Sequence, residues 1–245
     1  MPHFVELWVY LSATPLFGLT ATLVVYLFAL AAYERLGKAP WANPVLWSVL
    51  VLSGTLTLAA VPYPTYFSGA QFIHFLLGPA VVALAWPLWE RRQVLRRTWG
   101  RLALVSLAGA LAAVGSALLL GWALGLPREV LLSLAPKSVT APVAMGVAEK
   151  IGGVPALSAA FAVLTGLVGA MSGKYLYQLL RVPTTPLGWR ARGFGLGAAA
   201  HGIGAARSLQ VNAEAGAYAG LALGLQVVLQ ALLLPLAFRL FFSGG

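Results

Sequence analysis

The chain has 245 residues, 60% of them hydrophobic and only 9% charged, with 27 glycines, no cysteine and a formal net charge of +10. A soluble domain carries about a quarter charged residues, so this composition indicates an integral membrane protein and leaves no room for a separate soluble domain. Without cysteine there are no disulfides, thiol nucleophiles or Cys-based metal sites, and the three histidines, His3, His74 and His201, are too scattered to form a cluster.

The first apolar span is expected over about Leu7 to Tyr33, flanked by Trp8 and Tyr10 at one end and by Tyr33, Glu34, Arg35 and Lys38 at the other. Met1 to Tyr10 lacks a basic leader, so this span is expected to act as an uncleaved anchor. Aromatics beside bases mark interfaces, which puts Arg35 and Lys38 on the cytoplasmic side. A second span is expected over about Pro44 to Val61, ending in a turn at Pro62-Tyr63-Pro64. The third element, about Gly69 to Trp89, carries a Gly78-Pro79 pair and leads to Arg91, Arg92, Arg96, Arg97 and Arg101, which read as a cytoplasmic loop. The basic residues sit in short connections with no aromatic-studded basic face, which argues for topology and against nucleic acid.

A fourth span is expected over about Leu102 to Leu126, where Gly121 and Gly125 form a small-xxx-small pair. Arg128 to Lys150 follows, and inside it Pro136 and Pro142 bracket Lys137, Ser138 and Thr140. Each proline removes a donor and clashes with the preceding turn, so the helix is expected to break here. Broken backbone at membrane depth is tolerated only inside protein or along a wet cavity, and an intramembrane charge marks a candidate functional site. The alternative is that Lys137 snorkels to the interface and the prolines shape a loop. Counting spans makes this stretch a candidate re-entrant hairpin, the other possibility being a full crossing by a broken helix. A sixth element, about Val154 to Leu180, ends near Arg181, Arg190 and Arg192, and a seventh, Gly193 to about Gln210, is so rich in glycine that it is expected to be a poor helix. The last span is expected over about Glu214 to Phe242.

The fold class that follows is an all-α polytopic membrane protein of about seven or eight hydrophobic elements, two or more of them interrupted or re-entrant. Two interrupted elements approaching from opposite faces point to an inverted-repeat transporter architecture. The whole chain is expected to be one membrane domain, with residues 1–64 as scaffold-like spans and 65–245 as a core interrupted near 76–87, 128–150 and 193–210. A short echo between Pro79-Ala80-Val81-Val82-Ala83 and Pro136-Lys137-Ser138-Val139-Thr140 is suggestive of internal repetition.

A half-helix ending near Lys137 offers backbone N–H groups, a positive dipole end, two hydroxyls and an ammonium, which together form an anion site. From the seventh element, Gly202 supplies exposed backbone and Arg207 a bidentate grip on a carboxylate, while His201 can donate a hydrogen bond or titrate. The candidate binding residues are therefore Lys137, Ser138, Thr140, His201, Gly202 and Arg207, and the natural ligand is a small carboxylate. His201 could instead be a packed histidine and Arg207 an interfacial one. Glu149 and Glu214 are candidates for proton coupling, although Glu149 directly precedes what looks like a helix end; Gln71 and His74 are weaker candidates. There is no aspartate, no Ser/His/carboxylate spacing and no Walker-type loop, so no catalytic residue, metal or cofactor is expected.

The runs Pro136-Lys137-Ser138-Val139-Thr140-Ala141-Pro142-Val143-Ala144, Ile151-Gly152-Gly153 and His201-Gly202-Ile203-Gly204-Ala205-Ala206-Arg207 resemble the LrgB/CidB family of bacterial membrane proteins. The likeness extends from about Tyr66 to Ala217. It implies a polytopic protein of the bacterial inner membrane, often encoded with a smaller LrgA/CidA-type membrane partner. Family members are described both as holin- or antiholin-like proteins that influence murein hydrolases and lysis, and as carriers of pyruvate, glycolate or glycerate. Val81, Ala141, Ala200 and Ala205 stand where the family usually has hydroxyl residues, which bears on the substrate. A carrier of small monocarboxylates is expected, its core rocking against the first two spans, and a homodimer is expected because so small a chain needs a brace for a moving core.

Overall fold

The computed structural model describes residues 15–76, 79, 82, 86, 89 and 92–242. The interrupted element expected near 76–87 lies largely outside these, as do residues 7–14, Arg91 and the side chain of His74. The chain divides into two compact units, Met1–Ala83 and Leu84–Gly245.

In the first unit, helices α1 (Pro15–Arg35), α2 (Pro44–Leu58) and α3 (Tyr63–Phe75) follow one another, with a 3₁₀ turn at Pro40–Ala42. Asn43 caps α2, its Oδ1 accepting from the N–H groups of Val45 and Leu46 at 2.9 and 3.2 Å. Pro62-Tyr63-Pro64 is not a turn throughout, because α3 already starts at Tyr63. Proline is pre-organised for a first helical turn, where its missing N–H costs nothing. α1 lies against α3 at Gly18, where a Cβ would fall on the Tyr66 backbone. The Tyr66 hydroxyl donates to Thr22 Oγ1 at 2.7 Å, and that hydroxyl donates on to the Gly18 carbonyl at 2.7 Å.

The second unit contains α4 (Arg92–Ala123), α5 (Arg128–Leu134), α6 (Ala141–Ile151), α7 (Pro155–Leu179), α8 (Pro186–Val211) and α9 (Ala213–Phe242). The arginine stretch from Arg92 is helical rather than a loop, which extends the expected fourth span by nearly three turns. Arginine is among the better helix formers, and at a membrane interface its charges are solvated without unwinding the backbone. α4 is closed off just past its end by Gly125, which has φ +70°, while the Leu126 N–H bonds the Gly121 carbonyl at 3.0 Å. Gly125 is thus a helix stop, and only Gly121 of the expected pair packs closely, beneath Leu131 and Leu134 of α5.

α4 and α9 run parallel. Leu102 joins the cluster of Tyr218 and Leu221, the Gln226 Nε2 donates to the Ser106 carbonyl at 2.8 Å, and Val114 and Leu118 pack around Leu234. Two helical hairpins fill the space beside them.

The first hairpin is α5–α6. After the break at residues 135–140 the chain doubles back, so that Val147 and Ile151 of α6 pack with Leu132 and Ala135 of α5. Just past α6, Gly152 takes φ +85°, and the Val154 N–H donates to the Ser133 hydroxyl at 2.8 Å. That contact closes the hairpin, so the chain doubles back here instead of running on in one direction.

The second hairpin lies within α8. The glycine-rich run is helical on both sides of a break at Ala200 (φ −120°, ψ 16°) and His201 (φ +39°, ψ −131°). Beyond the break the chain returns, because a Cβ on Gly204 would lie 2.5 Å from the Leu196 carbonyl oxygen. Glycine is poor for an isolated helix, yet here it lets helices touch: Gly193 and Gly197 face the backbone of Ala215 and Ala219 in α9. Dense helix contact replaces the propensity that glycine lacks.

Among the described residues, four helices are long and apolar enough to cross a membrane: Leu16–Arg35, Arg96–Ala123, Pro155–Leu179 and Ala213–Leu240. Only 11–33% of each apolar window is buried within the protein, so most of that surface faces outward, as lipid contact requires and water does not favour. The chain is a multi-pass α-helical membrane protein.

Candidate functional site

The two hairpins approach from opposite ends of α9. The first packs beside Leu234 and the second beside Tyr218 to Leu223. Their tips meet near the middle of α9, where Val227 packs both on the cluster of Val139 and Ala144 and on that of Ala205 and Leu223. α7 joins the tips from another side. Its Ala162 packs with Val139 and Ala144, and its carbonyl oxygen lies 2.7 Å from His201 Nε2.

At the first tip, Ser138 and Val139 are buried and Lys137 is half-buried. The Lys137 ammonium donates to Ser138 Oγ at 3.3 Å. Thr140 stands at the N-cap of α6 but its side chain makes no capping bond. Its Oγ1 is buried without a hydrogen-bond partner, which ordinarily costs about 1–3 kcal/mol. Pro142 occupies the first turn of α6, so the positive end of this helix dipole faces the break.

At the second tip, His201 is 4% exposed. A carbonyl only accepts, so Nε2 carries the proton and the neutral ring offers Nδ1 as an acceptor. The expectation that His201 donates to an anion is met only by the protonated ring; the neutral ring instead suits a hydroxyl substituent. Gly202 starts the returning half-helix, and a Cβ there would meet nothing within 4 Å, so open space adjoins this tip. Arg207 is buried at 8% exposure, roughly two turns from the tip toward the mouth.

The candidate residues therefore fall into two groups. Lys137, Ser138 and Thr140 lie at one tip, His201 and Gly202 at the other, with Arg207 behind. The two glutamates lie elsewhere. Glu149 is exposed in the last turn of α6, at the mouth of the first hairpin. Glu214 opens α9 at the mouth of the second, where it accepts from Arg190 Nε at 2.7 Å while the Arg190 guanidinium covers the Tyr218 ring at 5.5 Å. Of the alanines that replace hydroxyl residues, Ala200 abuts Gly169 of α7 and Ala205 packs on Ala219 and Leu223. These two positions face helices rather than the space beside Gly202.

Sequence reasoning missed a buried polar relay. Gln230 Nε2 donates to Gln226 Oε1 at 3.0 Å and Gln226 donates on to the Ser106 carbonyl, with Gln226 and Gln230 only 1% and 2% exposed. Two amides one turn apart in an apolar span were the available signal. No group of three or more potential metal ligands occurs among the described residues.

The profile of the LrgB-like family matches residues 22–240. The chain is 36% identical over 200 residues to protein YwbG of Bacillus subtilis, covering 81% of this chain and 86% of that protein. It is 32% identical over 200 residues to a Haemophilus influenzae protein, covering 82% and 85% respectively. It is 28% identical over 221 residues to the holin-like protein CidB of Staphylococcus aureus, covering 90% and 94%. No solved structure matches the chain. With a match spanning nearly its whole length and a helical, multi-span architecture, the chain belongs to the LrgB-like family of membrane proteins.

Proposed function

We propose that the protein carries small monocarboxylates of the pyruvate, glycolate or glycerate class across the bacterial inner membrane, with the anion held between the two hairpin tips. The observation that carries this reading is the unpartnered, buried Thr140 hydroxyl beside Lys137 and Ser138 at the start of α6. A buried donor left without a partner is costly to the fold, and residues held at such cost concentrate where a ligand is bound. Two half-helix N-termini, one ammonium and two hydroxyls complement one carboxylate; the space beside Gly202 accommodates the rest of a small molecule. Opposite-facing mouths offer a route from the tips to each side. Glu149 and Glu214, as the coupling candidates, would exchange protons at those mouths rather than at the anion.

The test is uptake of labelled pyruvate and glycolate into proteoliposomes. Saturable uptake is expected, abolished by Lys137→Ala and Arg207→Ala. Thr140→Val removes the unpartnered hydroxyl at nearly constant volume, so it should leave the melting point equal or higher while uptake falls. A variant that loses neither would remove the site from the tips.

The likeness to the holin-like protein CidB of Staphylococcus aureus favours a second reading, a holin-like protein that acts on lysis. Release of large dyes without saturable uptake, alone or with an LrgA/CidA-type subunit, would support that reading and exclude the first.

A further inference from the structure

At the end of α4 opposite the first hairpin, a pocket of about 460 Å³ is lined by Trp89, Arg92, Gln93, Arg96 and Trp99. At 100° per residue Arg92, Gln93, Arg96 and Trp99 share one face of α4, whereas Arg97 and Arg101 project roughly 120–160° away from the two lining arginines. The pocket is therefore not the arginine cluster as a whole but a selected pair of arginines between two indoles.

Arg92 is held in place. Its guanidinium stacks 4.7 Å from the centre of the Trp89 ring, and its Nη1 donates to the Trp89 carbonyl at 3.0 Å. That leaves most of its planar fork of donors facing outward. Arg96 sits one turn on. Among the described residues neither arginine has an acidic partner; Glu90, the one acid in residues 84–101, lies outside them. Like charges four residues apart on a helix repel, and an anion seated between them turns that repulsion into attraction.

Trp89 and Trp99 are 62% and 54% exposed. Indoles settle at the headgroup level of a bilayer, and this face continues directly into the span Arg96–Ala123. An arginine-rich end belongs on the cytoplasmic side. The pocket thus lies at phosphate depth, with apolar indole faces for acyl or glycerol carbons and two guanidinium forks for the phosphate oxygens.

We propose that Trp89, Arg92, Arg96 and Trp99 form a seat for the phosphate of an anionic phospholipid, independent of whatever the hairpin tips bind. The experiment is native mass spectrometry of the full chain released from bilayers of equal parts phosphatidylglycerol and phosphatidylcholine. Preferential retention of phosphatidylglycerol is expected. Arg92→Gln with Arg96→Gln should weaken retention about 30-fold, from two basic side chains at the membrane surface. Arg97→Gln with Arg101→Gln removes the same charge from another face and should change it by less than about threefold. All four positions are exposed helix surface, and helicity by circular dichroism confirms folding of each variant. Equal loss from both pairs would reduce the effect to bulk charge, and equal retention of phosphatidylcholine would remove the anion. Displacement by an equal concentration of soluble glycerol phosphate would assign the pocket to a soluble ligand. Each of these three results overturns the proposal.

Discussion

His201 is held at φ +39° and ψ −131° at the second tip, a conformation that any residue with a Cβ adopts at a cost of about 1–3 kcal/mol. Replacing it with alanine or glycine removes the same imidazole and the same 2.7 Å hydrogen bond to the Ala162 carbonyl. Both variants therefore share that loss, about 1 kcal/mol for the bond plus the cavity left at a site only 4% exposed. They differ only in the Cβ. Glycine relieves the strain, offset by about 0.4–1 kcal/mol for its greater freedom in the unfolded chain. His201→Gly is thus expected to be more stable than His201→Ala by about 1–2 kcal/mol. Ala199 supplies the control, since it is exposed and lies in the helical part of α8; there Ala199→Gly should destabilise by about 1 kcal/mol. Thermal midpoints of the purified variants in one detergent measure all three. If His201→Ala proves as stable as His201→Gly, the chain does not reverse through a positive-φ residue at this tip.

Gly197→Ala would drive a methyl into the backbone of Ala219 and should cost at least about 1–3 kcal/mol in thermal or denaturant unfolding. Gly202→Ala meets open space, so its stability should change by less than about 1 kcal/mol while carboxylate uptake falls. Ser133 accepts from Val154 at 2.8 Å and donates to the Glu129 carbonyl at 2.6 Å. Ser133→Ala should therefore cost about 1–3 kcal/mol and speed hydrogen exchange at Val154; unchanged exchange would mean that this bond does not close the hairpin mouth. The Arg190–Glu214 pair is partly exposed, at 43% and 25%. Glu214→Gln should cost no more than about 1 kcal/mol, and the difference should shrink as salt rises.

Membrane class, helical content and the breaks near Pro136 and His201 were legible in the chain. They depend on composition and on short-range chemistry: the Pro136 and Pro142 pair, the helix-ending Gly152, and the arginines near the ends of apolar runs. Such signals act within a turn or two of backbone, so a local reading captures them. Long-range partners are different. The glycines of α8 looked hostile to a helix until Ala215 and Ala219 were found packed against Gly193 and Gly197. The Gln226 amide, which the sequence reading passed over, reaches the carbonyl of Ser106, 120 positions earlier. Lys137 and His201 lie 64 positions apart in the chain. Whether their elements cross or double back turned on Val154 reaching Ser133 and Gly204 reaching Leu196. Local propensity sets where a chain can bend, but only the burial of side chains among distant neighbours selects the direction in which it goes on.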